Sequence, residues 1–138
     1  TFDLVVTNPP YLRSNSSNPS PEKRKNSANI ETEVDLAKWL NFSAKFLKPR
    51  GNISLIHRAD RLDHILSLMR SKFGGLHVYP LWPKTGEPAK RVIVSGAKGS
   101  ASPTKILPGV IIHNADGSYT APVQSALAGE TLLADILN

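Results

Sequence analysis

The stretch of this sequence with the clearest chemical potential is Asn8-Pro9-Pro10-Tyr11, which directly follows a short apolar run. The side-chain oxygen of Asn8 and the backbone carbonyl of Pro9 are two acceptors, and the prolines hold φ near −65°, which fixes the direction of that carbonyl. Tyr11 adds a flat ring for stacking, worth ~1–3 kcal/mol against a nucleobase. These four residues predict a catalytic turn that orients a planar, amino-bearing group. The alternative is a purely structural turn, because Asn and Pro are both common in turns.

Strands and helices are predicted to alternate along most of the chain, from the spacing of its apolar residues. The predicted order is strand 2–6, helix 33–47, strand 52–57, helix 60–72, strand 76–82 and strand 91–97. Strands that alternate with helices indicate a parallel sheet with right-handed crossovers, and the short last connection makes the final two strands antiparallel. The fold class is therefore α/β, as a mixed half-sheet. The prolines after the first strand place the catalytic turn at its carboxyl end, where open α/β sheets bind ligands.

Further expectations concern packing and the ends of the helices. The run 2–6 is almost continuously apolar, which is typical of a strand buried on both faces. Pro49 and Gly51 are predicted to end the first helix, and Gly74-Gly75 the second. The aromatic residues of the first helix are assigned to the core: Trp39, Phe42 and Phe46.

The chain is predicted to form part of one domain, residues 1–138. A long polar loop is expected at 12–31, and a tail at 105–138 is expected to form a hairpin and a short helix. The chain begins inside an apolar strand and without Met, so we expect a fragment of a larger fold. The first strand would then have an exposed edge, through which self-association is expected.

Composition narrows the classes of partner. The 17 Lys and Arg against 11 Asp and Glu give a formal charge of +6, which favours a polyanion such as RNA. The absence of cysteine excludes a disulfide scaffold and thiolate metal sites, and it suits a reducing, cytoplasmic location. No apolar run approaches the ~20 residues of a membrane span. The scattered histidines show no metal-ligand spacing, and His57 is assigned to packing at a strand end.

The segment Asp3–Tyr11 resembles motif IV of the class I S-adenosylmethionine-dependent methyltransferases that modify planar nitrogen atoms. Within that family, segments 83–92 and 113–117 are similar to the tRNA1(Val) adenine-N6 methyltransferases. The resemblance implies the C-terminal half of a Rossmann-like methyltransferase sheet that ends in an antiparallel strand pair. It also implies S-adenosylmethionine as cofactor and N6-methylation of an adenine in tRNA, close to the anticodon.

The resemblance assigns roles to individual residues. Asn8 and Pro9 would hold the adenine amine, which is a poor nucleophile because its lone pair is delocalised into the ring. Tyr11 would stack on the base, and Asn8 would also contact the cofactor. Basic side chains near the turn and in the later loop are expected to bind the substrate, mainly through its phosphates: Arg13, Lys84 and Arg91.

No glycine-rich turn follows a predicted strand, although the cofactor pocket of this family is built around one. The resemblance therefore places the cofactor-binding half upstream of Thr1, and we expect the chain alone to bind S-adenosylmethionine very weakly. Two alternative functions remain. Glutamine-N5 methyltransferases of peptide release factors use the same turn, because an amide nitrogen is also planar. A non-catalytic RNA-binding or assembly fragment would retain the positive charge without the reaction.

Overall fold

The computed structural model describes residues 1–9, 35–132 and 135–136. Its elements, in chain order, are β1 (Phe2–Thr7), α1 (described over 35–46), β2 (Leu47–Arg58), a 3₁₀ turn (Ala59–Arg61), α2 (Leu62–Met69), β3 (Phe73–Trp82), β4 (Arg91–Lys98), β5 (Lys105–Ile106), β6 (Val110–Ile111) and α3 (Ala121–Leu127). The predicted loop at 12–31 and the start of the first predicted helix lie outside the described residues.

The strands form one mixed sheet in the order β1-β2-β4-β3-β5, with β6 also paired to β3. β1 and β2 are parallel, and β4 lies between β2 and β3, antiparallel to both. The predicted α/β class and the antiparallel final pair are therefore confirmed. Because β1, β2 and β3 run in the same direction, their carboxyl ends meet at one edge, which we call the carboxyl edge. The opposite edge is the amino edge.

The core lies on one face of the sheet, beneath α1 and α2. Leu40 of α1 and Ile65 of α2 are at most 2% exposed and belong to the same buried cluster as Ile53 and Leu55 of β2. Alternate strand residues point to the other face, where they are only half-buried, as at Ile56. Both helices therefore pack on the same face of the sheet.

The first helix ends earlier than predicted, since Leu47 already belongs to β2. Pro49 and Gly51, which were predicted to end the helix, lie inside this strand. Two residue steps of β1, from Phe2 to Leu4, face five steps of β2, from Leu47 to Asn52, so β2 bulges here. The positive φ of 66° at Arg50 accompanies that bulge. Sequence reasoning missed it because a bulge is specified by pairing with a distant strand.

The prediction that Gly74-Gly75 ends the second helix is wrong. The helix ends at Met69, and both glycines lie within β3, at an irregularity in its pairing with β4. A Cβ atom on Gly74 would lie 1.9 Å from the backbone oxygen of Ser100, so the chain after β4 crosses too closely for any side chain. The glycines therefore serve a close backbone approach and a bulge.

Two predictions of burial are also wrong. In β1, Phe2, Leu4 and Val6 are 59%, 56% and 74% exposed, because β1 is the end strand and this side of it is uncovered among the described residues. The aromatic side chains of α1 assigned to the core are exposed as well: Trp39, Phe42 and Phe46. We call those three residues the aromatic row. Periodicity identified an apolar helix surface, but it does not state what covers each side of that surface.

The tail forms the predicted turn and short helix. Asn114 and Ser118 close the turn through backbone hydrogen bonds, and His113 bridges Tyr119 in an antiparallel pair. Its preceding strand, β6, adds to β3 in parallel rather than belonging to an isolated hairpin. A Cβ on Gly109 would lie 1.9 Å from the Pro80 oxygen, so only glycine allows this docking.

Candidate active site

The predicted catalytic turn begins where β1 reaches the carboxyl edge. β1 ends at Thr7, Asn8 is exposed, and Pro9 is buried. The parallel register pairs Thr7 with Leu55, so the turn follows alongside the end of β2. The structure thus places an exposed amide side chain beside a buried proline at a strand end, which is a position suited to binding a ligand from solvent.

A cavity of about 420 Å³ opens beside this turn. Its described walls come from three elements: Pro9 after β1, His57 at the end of β2, and the first half of α1 with Asp35, Leu36, Lys38, Trp39 and Phe42. Pockets for small ligands commonly enclose about 300–1,000 Å³ and are mostly apolar with a few polar groups. The cavity fits that description, and we call it the turn cavity.

Trp39 ties α1 to the last residue of β1. Its indole N–H donates to the hydroxyl oxygen of Thr7, immediately before Asn8. Thr7 is 8% exposed, so this bond is largely shielded from water. The contact fixes the helix against the strand end, and the aromatic row continues away from it, with ring centroids of Phe42 and Phe46 4.7 Å apart. An aromatic side chain that the sequence assigned to the core therefore shapes the site.

His57 is the functional-site candidate that sequence reasoning undervalued. The prediction that it packs at the strand end is confirmed, since it is only 2% exposed, but it also lines the turn cavity. Its Nδ1 accepts a hydrogen bond of 2.9 Å from the Arg58 amide. Burial is the largest cause of the lowered pKa of His57, and the nearby Arg61 charge lowers it further, against the opposing charge of Asp60. With Nδ1 an acceptor, the neutral ring carries its proton on Nε2.

Acid is expected to destabilise the fold through His57. The folded protein keeps the imidazole neutral, whereas the unfolded chain binds a proton once the pH falls below about 6.5. The free energy of unfolding should therefore fall as the pH is lowered from about 7 towards the depressed pKa of the folded state. His57→Asn keeps an acceptor for the Arg58 amide but does not titrate. Urea denaturation across this range should show a weaker pH dependence for the variant.

His64→Asn provides the control, because it removes a histidine whose side chain is 41% exposed on α2. It is expected to leave the pH dependence of the parent protein in place. Equal pH dependence in His57→Asn and the parent would contradict a buried neutral imidazole.

Basic side chains gather further along the carboxyl edge. Arg58 of β2 lies opposite Arg91 of β4 in the strand register. Arg58 pairs with Asp60, its Nε donating at 3.1 Å, and Arg91 donates to the Lys90 carbonyl at 3.2 Å. Arg91 is thus two strands from β1, roughly 10 Å across the sheet.

The other predicted site residues are more distant or fall outside the described part of the chain. Lys84 lies in the loop after β3, where its ammonium donates to the Ala115 carbonyl at 3.4 Å. Pro10, Tyr11 and Arg13 lie outside the described residues, so their assigned roles stay predictions.

A larger groove of about 1300 Å³ lies between the 83–90 loop and the tail. Trp82 borders it and donates from its indole to the Pro108 carbonyl at 3.1 Å. Lys84 also lines the groove, but neither Asn8 nor Pro9 does. Size alone would favour this groove, yet the turn cavity is lined by Pro9, which carries one of the two predicted acceptors and directly follows the other. We therefore take the smaller cavity as the candidate active site.

Within residues 1–9, 35–132 and 135–136, no three His, Asp or Glu side chains group in a way that would hold a metal ion. None of the helices in the same described ranges is long and apolar enough to span a membrane.

The chain is similar to known methyltransferases in sequence. It is 30% identical over 122 residues to a tRNA1(Val) (adenine(37)-N6)-methyltransferase of Actinobacillus pleuropneumoniae serotype 7, covering 86% of this chain and 49% of the relative. The protein of the same name from Phocaeicola vulgatus is 33% identical over 97 residues, covering 68% of this chain and 40% of that relative. No protein-family model matches the chain.

The fold is similar as well. A crystal structure described as a predicted O-methyltransferase from Agrobacterium tumefaciens superposes with a TM-score of 0.72 at 26% identity. The match covers 94% of this chain and 52% of that one. The chain therefore has a class I methyltransferase fold and is distantly similar to tRNA adenine-N6 methyltransferases. It spans about half the length of the curated relatives it matches.

Proposed function

We propose that this chain carries the amine-orienting part of an S-adenosylmethionine-dependent methyltransferase that methylates N6 of an adenine in tRNA, near the anticodon. The observation that carries the proposal is the position of Asn8 and Pro9 at the carboxyl end of β1, where Pro9 lines the turn cavity. Similarity to methyltransferases of that substrate class supports the reaction type.

Asn8 and Pro9 would orient the adenine amine, which is the nucleophile of the reaction. The Asn8 side-chain oxygen and the Pro9 carbonyl accept one hydrogen bond each from the two amine hydrogens, which holds the nitrogen in place and favours its pyramidal geometry. Proline rigidity keeps the Pro9 carbonyl pre-aligned, so little ordering is needed when the base binds. This is catalysis by proximity and orientation, and it requires no strong base in the turn. We assign Pro10 to the same predicted turn and Tyr11 to stacking on the base.

The described residues do not provide a complete pocket for S-adenosylmethionine. Among them, no strand ends at the carboxyl edge in a glycine-rich turn. Gly74 and Gly75 lie inside β3, and Gly99 follows β4 at the amino edge, on the far side of the sheet from Asn8. We therefore assign Asn8 as the cofactor contact within the described part of this chain and place most of the cofactor pocket outside it.

The tRNA would approach across the carboxyl edge. Arg91, opposite Arg58, lies between the turn and the 83–90 loop that carries Lys84. We assign Arg91 and Lys84 to the RNA phosphates, and Arg13 to the same role from its place after the turn. The net charge of +6 favours this substrate over a release factor.

The outer side of β1 is the proposed association surface. Within the described ranges β1 pairs with β2 alone, and Leu4 and Val6, on one face of this strand, are more than half exposed. An unpaired edge of this kind can pair with another strand, either from the remainder of a methyltransferase fold or from a second copy of the chain.

We place the reaction in the cytoplasm, because a chain without cysteine suits a reducing compartment.

Transfer of a labelled methyl group tests the proposed function. The chain is fused to the half of the Actinobacillus relative that it does not match, and calorimetry establishes that this fused enzyme binds S-adenosylmethionine. The fused enzyme is then incubated with labelled cofactor and either tRNA or a peptide release factor. Label in N6-methyladenine supports the proposal. Label in glutamine would establish the alternative substrate, and cofactor binding without transfer to either would contradict the function.

A further inference from the structure

A third cavity, of about 390 Å³, lies at the amino edge of the sheet. It opens where α1 ends, where the chain enters β3, and where β4 ends. Its described lining is Asn41, Ala44, Lys45, Lys72, Lys98 and Gly99. We call it the lysine pocket. Three lysines that are far apart in the sequence line it, and no acidic side chain is among the residues described in its wall.

Lys98 connects the end of β4 to the end of α1 at one side of the lysine pocket. Its ammonium donates to the carbonyls of Ala44 and Leu47, at 2.6 and 2.8 Å. A cation at this position also complements the negative end of the α1 dipole. Lys98 is therefore held by the fold.

Lys45 and Lys72 are exposed at the rim of the pocket. Among the described residues, neither of them nor Lys98 forms an ion pair, so the positive charge here lacks a neutralising carboxylate. A hard, multiply charged anion such as a phosphate group would accept hydrogen bonds from several ammonium groups at once.

We propose that the lysine pocket binds a phosphate of the RNA backbone, as a second anchoring point beyond the active site; this inference rests on the proposed RNA substrate. β4 runs from Arg91 at the carboxyl edge to Lys98 at the amino edge. At about 3.4 Å per residue, the two positively charged regions are roughly 24 Å apart. One folded RNA lying along the protein contacts both, so the pocket fixes the direction of the tRNA relative to Asn8. Phosphate contacts of this kind position an RNA without reading its sequence.

The test is the salt dependence of tRNA binding to the 138-residue chain, measured by fluorescence anisotropy. Lys45→Gln/Lys72→Gln removes two exposed charges and leaves Lys98 in place, so the fold is kept. We expect several-fold weaker binding and a salt slope that is shallower by roughly one or two contacts. The matched control, Lys48→Gln/Lys105→Gln, removes two charges elsewhere, one of which already pairs with Asp3. It should retain the parent slope, and an unchanged slope in the pocket variant would overturn the proposal.

A second arm identifies the source of the phosphate. The Gly99 amide is followed by NMR while tRNA or inorganic phosphate is added. We expect saturation by tRNA at far lower concentration. Equal saturation by inorganic phosphate would indicate a site for a free anion and would overturn the backbone assignment.

Failure of this proposal is distinguishable from failure of the proposed function. Methylated tRNA together with an unchanged slope refutes the lysine pocket alone. A changed slope without transfer to tRNA by the fused enzyme refutes the reaction and leaves the pocket as an RNA contact.

Discussion

Asn8→Ala in the fused enzyme is expected to lower kcat for tRNA methylation by about 10²–10³-fold, the loss typical of removing one oriented hydrogen-bonding group from an active site. The variant lacks the side-chain acceptor that we propose holds one amine hydrogen, whereas the Pro9 carbonyl remains. The affinity for S-adenosylmethionine should change little, because we place most of the cofactor pocket outside the described residues. Single-turnover kinetics and calorimetry measure the two quantities separately.

Asn8→Asp sharpens this prediction, since it restores an acceptor oxygen at the same place. It should regain part of the rate lost in Asn8→Ala. Asn52→Ala is the matched control, because Asn52 is an exposed asparagine of β2 that lies towards the amino edge. Parent-like turnover in Asn8→Ala would refute the role of the turn, whatever the controls show.

Leu55→Ala is expected to destabilise the fold by about 2–5 kcal/mol, because it leaves a cavity in a well-packed core. Leu55 is 1% exposed. It pairs with Thr7 on one side and Val94 on the other, so it links the strand that ends at the catalytic turn to the middle of the sheet. Urea denaturation at neutral pH measures the free energy of unfolding.

Leu127→Ala makes the same chemical change at the end of α3, where the leucine is 68% exposed. Its effect should stay within about 0.5 kcal/mol, as is usual for surface sites. Equal losses for the two variants would mean that Leu55 is not in a tightly packed core.

Local chemistry made the end of the first strand before Asn8 predictable. An apolar run followed by two prolines must end as a strand and bend, whatever surrounds it, because proline cannot donate to the next ladder bond. The alternation of strands and helices likewise made the parallel pair β1–β2 predictable, and the short connection after β3 made the antiparallel β4 predictable. The glycines of β3 were misread because a helix stop and a close backbone crossing use the same residue. What distinguishes the two roles here is the close approach of the Ser100 backbone to Gly74, and Ser100 is too far along the chain for local sequence reasoning to detect it.

The amino-acid order alone determined that Asn8 and Pro9 follow a strand end, since this depends only on neighbouring residues. The tertiary structure decided which residues from other elements lie near Asn8 and Pro9. The strand order brings His57 to the turn cavity and gathers Lys45, Lys72 and Lys98 at the opposite edge. It also leaves the aromatic row exposed. These outcomes depend on which distant strands pair and which faces are covered, and that information is spread over the whole chain.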